Sequence, residues 1–347
     1  MADRTEIRRL LVTGGCGFIG SNFVRSWLDG RDGVVCNVDA LTYAGDPRRL
    51  EGLPPDRYEH RKVDITDGHS LSQVVADFEP DGVVHFAAES HVTRSENAGD
   101  VFLRTNVEGT RTLLEALSKT EPAAVIHVST DEVYGPCLGD PYREEDKEPG
   151  EGNATSAYAR SKALADDLAM TYRHGLPLMV ARPTNCFGPW QHPEKAFPRW
   201  VIRALLGQEL PVWGDGRYIR DWLPVPDLCS ALRRLLVEGV PGAAYNIGPE
   251  RDPEITNAEL ARWILAHLGL PANRLVFTHY DRPDHDRRYA VDASRVRALG
   301  WRPETDVWSR FAETVEWYKT HKTWWGTLID EAESIYADRA ELKGVSG

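Results

Sequence analysis

Through the first half of the chain, short apolar runs rich in β-branched residues alternate with longer stretches whose apolar positions recur every three or four residues. Leu10 to Thr13, Val34 to Val38, Gly82 to Phe86 and Ala124 to Ser129 have the length and composition of buried strands. Phe18 to Leu28, Leu71 to Phe78 and Thr105 to Ser118 have the period of helices. This alternation predicts an α/β fold, a doubly wound parallel sheet with helices on both faces. After about residue 185 the texture changes: prolines stand at 189, 193, 198, 211, 224 and 226, and tryptophans at 190, 200, 213 and 222. The expected organisation is a first domain over 1–185 that also receives segments near 221–248, a smaller α/β lobe over 186–330, and a tail over 331–347. The chain from Tyr318 carries Trp324, Trp325 and a charged stretch, Leu328 to Leu342, which reads as a packing helix.

The chain has 347 residues, enough for two lobes of this kind. Hydrophobic residues make up 41% and charged residues 27%, so material for a core is ample and disorder is expected only at the termini. A formal net charge of −12 argues against nucleic acid or an anionic membrane as partner, since both need a basic field. An anionic small ligand must then be held by a few placed arginines. The cysteines, at 16, 36, 137, 186 and 229, form no C-x-x-C pair and no metal-ligand spacing, so they read as reduced thiols and no metal site is expected. The N-terminal stretch is charged ahead of its first short apolar run, unlike a signal peptide or a membrane span, and the expected location is the cytoplasm.

Leu11-Val12-Thr13-Gly14-Gly15-Cys16-Gly17-Phe18-Ile19-Gly20 takes a predicted strand straight into a predicted helix through a glycine-rich turn. Such glycines let the backbone turn tightly and approach a pyrophosphate, while the helix N-terminus offers free N–H groups to the anion. The second strand ends at Val38-Asp39, where a carboxylate accepts hydrogen bonds from an adenosine ribose and repels a 2′-phosphate. That favours NAD over NADP, with Arg48 and Arg49 the residues able to reverse the preference. The candidate cofactor residues here are Gly14, Gly17, Phe18, Ile19, Gly20 and Asp39. The spacing of Gly14, Gly17 and Gly20 departs from G-x-G-x-x-G and resembles the short-chain dehydrogenase/reductase family, which has a Rossmann-type fold. That resemblance implies further cofactor contacts at Thr42, Asp64, Ile65, Ala87, Ala88, Glu89 and Asn106. A turn cap at Asp64 and a helix cap at Asn106 are the plain alternatives.

Tyr158 and Lys162 stand four apart in a strongly helical stretch that runs to about Arg173, which puts both side chains on one face. An ammonium beside a phenol favours the phenolate, a base able to take a hydroxyl proton as hydride leaves the same carbon. Val128-Ser129-Thr130-Asp131-Glu132-Val133-Tyr134-Gly135 lies at the C-terminal end of a predicted central strand, where open α/β sheets bind their ligands. Thr130 there can hydrogen-bond a reacting hydroxyl. Asp131 and Glu132 offer two carboxyls, and unlike environments or mutual repulsion would keep one protonated as acid and the other ionised as base. A turn and a helix cap are the structural alternative for that pair.

Thr130-Asp131-Glu132, Phe86-Ala87-Ala88-Glu89-Ser90-His91-Val92, Gly188-Pro189 followed by His192-Pro193-Glu194-Lys195, Arg220-Asp221-Trp222, and Asp281-Arg282-Pro283 with His285-Asp286-Arg287-Arg288-Tyr289 together resemble the dTDP-glucose 4,6-dehydratases. The resemblance runs from about residue 8 to about 318. It implies a hydro-lyase that holds NAD tightly and regenerates it in each turnover. In that family NAD oxidises the sugar at C4 with the tyrosine as base, the C5 proton and the C6 hydroxyl are then eliminated, and hydride returns to C6. Carried over, Tyr158 with Lys162 and Thr130 serves the oxidation, Glu132 takes the C5 proton and Asp131 protonates the departing hydroxyl. The product is the 4-keto-6-deoxy sugar nucleotide. Implied substrate contacts are Ser90, Thr130, Asn185, Lys195, Arg220, Asn257, Arg282 and His285, with a homodimer formed through the helices carrying Asn106 and Tyr158.

The chain departs from the family at Thr93 (usually Asp), Cys186 (Asn), Phe187 (Tyr), Cys16 (Ala), Trp213 (Tyr) and Asp284 (Gly), and none of these removes a catalytic group. A nucleotide-sugar 4-epimerase or decarboxylase on the same fold uses the same tyrosine and lysine but needs no acid and base pair to eliminate water, so Asp131 and Glu132 discriminate. A dinucleotide-binding protein without turnover is the rival from another class, and intact Thr130, Tyr158 and Lys162 argue against it.

Overall fold

The computed structural model describes residues 4, 7–91, 99–278, 286–304 and 306–337. The strands are β1 (Arg9–Thr13), β2 (Val34–Val38), β3 (Tyr58–Arg61), β4 (Gly82–His85), β5 (Ala124–Val128), β6 (Leu178–Pro183), β7 (Cys186–Phe187), β8 (Leu210–Trp213), β9 (Leu223–Pro224), β10 (Ala244–Ile247) and β11 (Leu275–Thr278). Seven of them form one parallel sheet in the order β3-β2-β1-β4-β5-β6-β10. The chain starts in the middle at β1, winds outward to β3, returns to β4 and winds out the other way. This is the Rossmann-type doubly wound topology, and its switch point, between β1 and β4, opens a crevice at the C-terminal strand ends.

Helices α1 (Phe18–Leu28), α2 (Gly68–Phe78), α3 (Gly99–Phe102), α4 (Thr110–Leu117) and α5 (Ala157–Thr171) belong to the first half. They are followed by α6 (Ala196–Leu205), α7 (Val225–Glu238), α8 (Asn257–His267), α9 (Ser294–Ala298), α10 (Val307–Thr320), α11 (Lys322–Trp325) and α12 (Ile329–Ala337). The period of two along β1 divides the sheet's core in two. Leu10 and Val12 pack with Phe23 and Trp27 of α1 and with Leu228, Leu232 and Leu235 of α7. Leu11, facing the other way, packs with Leu71 and Val75 of α2, Leu113 and Leu117 of α4 and Ala169 of α5. A strand covered on both faces has no solvent side, which is why β5 is buried along its whole length. The second lobe has its own core, in which α6, α8 and α10 contribute Phe197, Trp200, Ile264 and Phe311, with Trp324 and Trp325 from α11.

The helix expected from Thr105 starts earlier, at Gly99, and is π-helical from Leu103 to Gly109. The Thr110 hydroxyl donates back to the Asn106 carbonyl at 2.6 Å within this wider turn, while the Asn106 side chain points inward. Strands β3, β6 and β10 were not among the expected ones. The tail helix occupies Ile329–Ala337 after a turn at Leu328, and residues 338–342 of the expected Leu328 to Leu342 stretch lie outside the described residues. Among the described residues no helix is long and apolar enough to cross a membrane.

Candidate active site

The glycine turn is shaped by contact. Gly14 has φ +72°, and its N–H donates to the Val38 carbonyl at 2.8 Å. A Cβ there would lie 2.6 Å from the Ala87 nitrogen, and one on Gly20 would strike the Gly14 carbonyl oxygen. α1 is capped by Gly17, which has no side chain to accept from the helix, so its first-turn N–H groups are left for something else. Asp39 is buried and accepts the Cys16 and Leu41 N–H groups, each at 2.8 Å. Its carboxylate therefore braces the turn that it adjoins. Arg48 is bound by both oxygens of Asp46, and Arg49, 1% exposed, donates to the carbonyls of Cys16, Ala44 and Trp190. Both guanidinium groups are thus engaged within the chain, and neither reverses the charge that Asp39 sets here. Burial, followed by Asp39, pushes the Cys16 thiol up to about 12, so it stays a neutral filler of the turn.

At the end of β5, Thr130 caps a tight turn over Asp131–Tyr134: its hydroxyl accepts the Glu132 N–H at 3.3 Å and donates to Asp131 Oδ1 at 3.1 Å. Tyr134 ties this turn to the neighbouring strands. Its hydroxyl donates to Asn246 of β10 and accepts from Arg182 of β6, both at 2.7 Å, and Arg182 is paired with both oxygens of buried Asp166 at 2.8 Å. The two carboxyls of the turn meet unlike surroundings. Asp131 is 2% exposed, Oδ2 has no hydrogen-bond partner, and burial followed by the Glu132 charge pushes its carboxyl well above the usual range. Glu132 is half-buried and faces the cavity. The arrangement favours the protonated form of Asp131 beside a more accessible Glu132.

Ser156 caps α5 by accepting the Ala159 N–H at 3.0 Å, and the helix carries Tyr158 and Lys162 to the same cavity. Burial first, then Glu132, pushes the Tyr158 phenol up, against the opposing hydrogen bond with Thr130. The i, i+4 spacing sets both side chains on one face and both line the cavity; the lysine's ammonium donates to the Val128 carbonyl at 2.7 Å, and the largest influences on the phenol after burial are Glu132, Thr130, Asp131 and Cys186. Burial brings the Lys162 ammonium down to about 8, with Asp166 opposing.

One cavity gathers most of the predicted positions. Gly14, Gly17, Phe18, Ile19, Gly20, Asp39, Thr42, Asp64, Ile65, Ala87, Ala88 and Glu89 line it, as do Ser90, Thr130, Glu132, Tyr158, Lys162, Asn185 and Lys195. Asp64 also accepts from the Thr66 N–H and hydroxyl, each at 2.8 Å, so it shapes a turn as well. Asn106 is not among the lining residues: its amide exchanges bonds with the Glu89 main chain at 2.8 and 3.0 Å and donates to Ser161 at 2.8 Å, pinning the loop after β4 to α5. Asp131, Arg220 and Asn257 also stand back from the lining. Arg220 donates to the Asp286 carbonyl at 2.9 Å and lies 4.5 Å from the Tyr289 ring centre, while Asn257 opens α8 with its Oδ1 buried and without a partner. Thr93, Arg282, Asp284 and His285 lie outside the described residues.

The cavity also uses residues that the sequence reading did not select: Ser129, Thr184, Gln191, His192 and Glu194. Ser129 Oγ, Thr184 Oγ1, Asn185 Oδ1 and Gln191 Oε1 are buried without a hydrogen-bond partner. Orphaned polar atoms of this kind suit a polar ligand, and the glycine turn suits close approach of an anion, so these residues fit a dinucleotide.

Fold and site define a dinucleotide-binding α/β protein of the short-chain dehydrogenase kind. The model of the NAD dependent epimerase/dehydratase family matches residues 10–248. The low-salt glycan biosynthesis protein Agl12 of Haloferax volcanii is 44% identical, over 89% of this chain and 98% of its own. The dTDP-glucose 4,6-dehydratase of Xanthomonas campestris pv. campestris is 40% identical, over 92% of this chain and 95% of its own. A crystal structure of the Streptomyces venezuelae dTDP-glucose 4,6-dehydratase, with NAD bound, superposes with a TM-score of 0.86 at 40% identity, covering 92% of this chain and 99% of that one. The chain belongs to the dTDP-glucose 4,6-dehydratases within the NAD dependent epimerase/dehydratase family.

Proposed function

We propose that this protein dehydrates dTDP-glucose to the 4-keto-6-deoxy sugar nucleotide, with NAD as a resident cofactor regenerated in each turnover. The observation that carries the reading is the unlike pair at the end of β5, a buried Asp131 whose carboxyl is pushed toward its protonated form beside a Glu132 that faces the cavity. The activity of its relatives supports the same choice. Residues 14–20 hold the pyrophosphate of NAD and Asp39 its ribose; bound there, NAD supplies a two-electron acceptor at sugar C4 that gives back at C6 what it took. Tyr158, hydrogen-bonded to Thr130, takes the proton of the C4 hydroxyl. Glu132 removes the C5 proton, and Asp131 hands its own to the departing C6 hydroxyl, which leaves as water. Lys195, Ser90 and Asn185 hold the nucleotide sugar from the cavity wall, with Arg220 and Asn257 standing behind them; Arg282 and His285 are carried over from the family pattern alone. A homodimer joined through the helices of Asn106 and Tyr158 completes the assembly, and exposed Val101 and Leu103 supply apolar surface on that side. Five free cysteines suit a reducing cytoplasm.

The test is to incubate the purified protein with dTDP-glucose and to follow the nucleotide sugar by mass spectrometry. Loss of one water is expected; formation of only an epimer of unchanged mass would sink the dehydratase reading.

A further inference from the structure

The loop between β7 and α6 lines the cavity with Gln191, His192, Glu194 and Lys195, yet much of what holds its main chain comes from elsewhere. The Trp190 carbonyl accepts from Arg49 at 3.2 Å, the Gln191 carbonyl from the Tyr318 hydroxyl at 2.5 Å, and the Glu194 carbonyl from the Tyr336 hydroxyl at 2.7 Å. Two of these three props come from the C-terminal segment, which the proposed chemistry does not use. A loop without ladder partners takes its geometry from whatever satisfies its carbonyls.

The tail helix adds a further set of ties. Glu333 of α12 receives Arg199 through two bonds, at 3.0 and 2.9 Å, and Arg203 at 2.9 Å. The Arg199 guanidinium also lies 3.8 Å from the Tyr336 ring centre, and the Arg199 N–H returns to the Lys195 carbonyl at 2.9 Å. From the loop the connection crosses to the first lobe: the Lys195 ammonium donates to the Ser90 carbonyl at 3.0 Å, and the Tyr43 hydroxyl to the Glu194 carboxylate at 3.1 Å. At its other end the tail holds that lobe directly, since the Trp324 indole donates to Asp46 at 2.7 Å, and Asp46 caps the turn carrying Arg49. The C-terminal segment is tied to both walls of the cavity.

We propose that the C-terminal segment is a brace for the 190–195 loop, with Tyr318, Glu333 and Tyr336 as positioning residues that set Lys195 for the diphosphate of the substrate. The substrate half of this statement rests on the function proposed above; the brace itself does not.

Tyr336→Phe, Tyr318→Phe and Glu333→Gln each delete one tie with little change of shape, and a chain ending at Gly326 deletes α12 whole. Hydrogen exchange followed by mass spectrometry reads the loop directly, through the amides of Gln191, Lys195 and Arg199, each bonded to a main-chain carbonyl nearby. Exchange there is expected to quicken about tenfold in the point variants while the sheet strands keep wild-type protection. With dTDP-glucose as substrate, KM is expected to rise about tenfold with kcat within about twofold, because the loop holds substrate and carries no reacting group. A segment that only stabilises the fold would lower the melting temperature and leave KM and loop exchange unchanged, and that result would overturn the brace. If wild-type protein leaves dTDP-glucose untouched, the function reading falls, and loop exchange alone decides the brace.

Discussion

Neighbouring residues in a chain seldom differ as Asp131 and Glu132 do. Burial favours a proton on Asp131 while Glu132 faces the cavity, so the pair can divide acid from base without help from distance. Glu132→Gln is expected to permit reduction of bound NAD on adding dTDP-glucose, seen as NADH absorbance, yet to give no product lighter by one water. Product at the wild-type rate would remove Glu132 from the mechanism. Lys162 gives a pH signature. Its ammonium, brought down to about 8 by burial, is charged below that pH and neutral above it. Loss of that charge from a lysine that lines the cavity with Tyr158 is expected to lower kcat/KM as pH rises through about 8. Lys162→Arg, which stays charged, is expected to lose that limb, and a flat wild-type profile between pH 7 and 9 would count against the assignment. At this scale the sequence was informative wherever a residue's chemistry and its place at a strand end coincide, as for the glycine turn and Thr130-Asp131-Glu132. It was uninformative where a side chain's partner is set by the fold. Asn106 turned to the Glu89 backbone because a π-helical turn faces it inward, Thr184 reached the cavity on a segment with no distinguishing pattern, and Gln191 reached it between two motif pieces without belonging to either.

Among the elements, the turn from β1 into α1 tolerates least. Gly20 sits on the first turn of α1, where a Cβ would collide with the Gly14 carbonyl oxygen and come within 2.8 Å of Gly15 Cα. Because both obstacles are backbone, relief requires the helix to shift, and Gly20→Ala is expected to cost about 1–3 kcal/mol as well as retained NAD. Urea unfolding and the cofactor content of the purified variant measure the two effects; wild-type values for both would show that the helix gives way freely. The strands that escaped the sequence reading share a cause. β6 runs Leu-Met-Val-Ala-Arg-Pro, and an arginine and a proline argue against a buried strand until Asp166 is known to stand opposite Arg182. β3, Tyr-Glu-His-Arg, is an edge strand with little apolar content. β10 is four residues long and holds an asparagine whose side chain serves Tyr134.

For the molecule as a whole, fold class was legible because alternation of buried strand and amphipathic helix admits few architectures, while the bracing of one lobe by the tail was not, since it depends on side chains far apart in sequence. The position of β10 bears on how the protein is made. Its partner β6 is complete by Pro183, but β10 is supplied by residues 244–247, some sixty positions later, so a growing polypeptide presents an open row of N–H and C=O groups along β6 for that interval. Synthesis is therefore expected to pass through a sticky intermediate that closes only when residues 244–247 have left the ribosome. A polypeptide stopped at residue 185 is expected to aggregate, and one extended through residue 250 to stay dispersed far better, as light scattering of freshly translated chains would report; equal solubility of the two would mean that the exposed edge is guarded by other means.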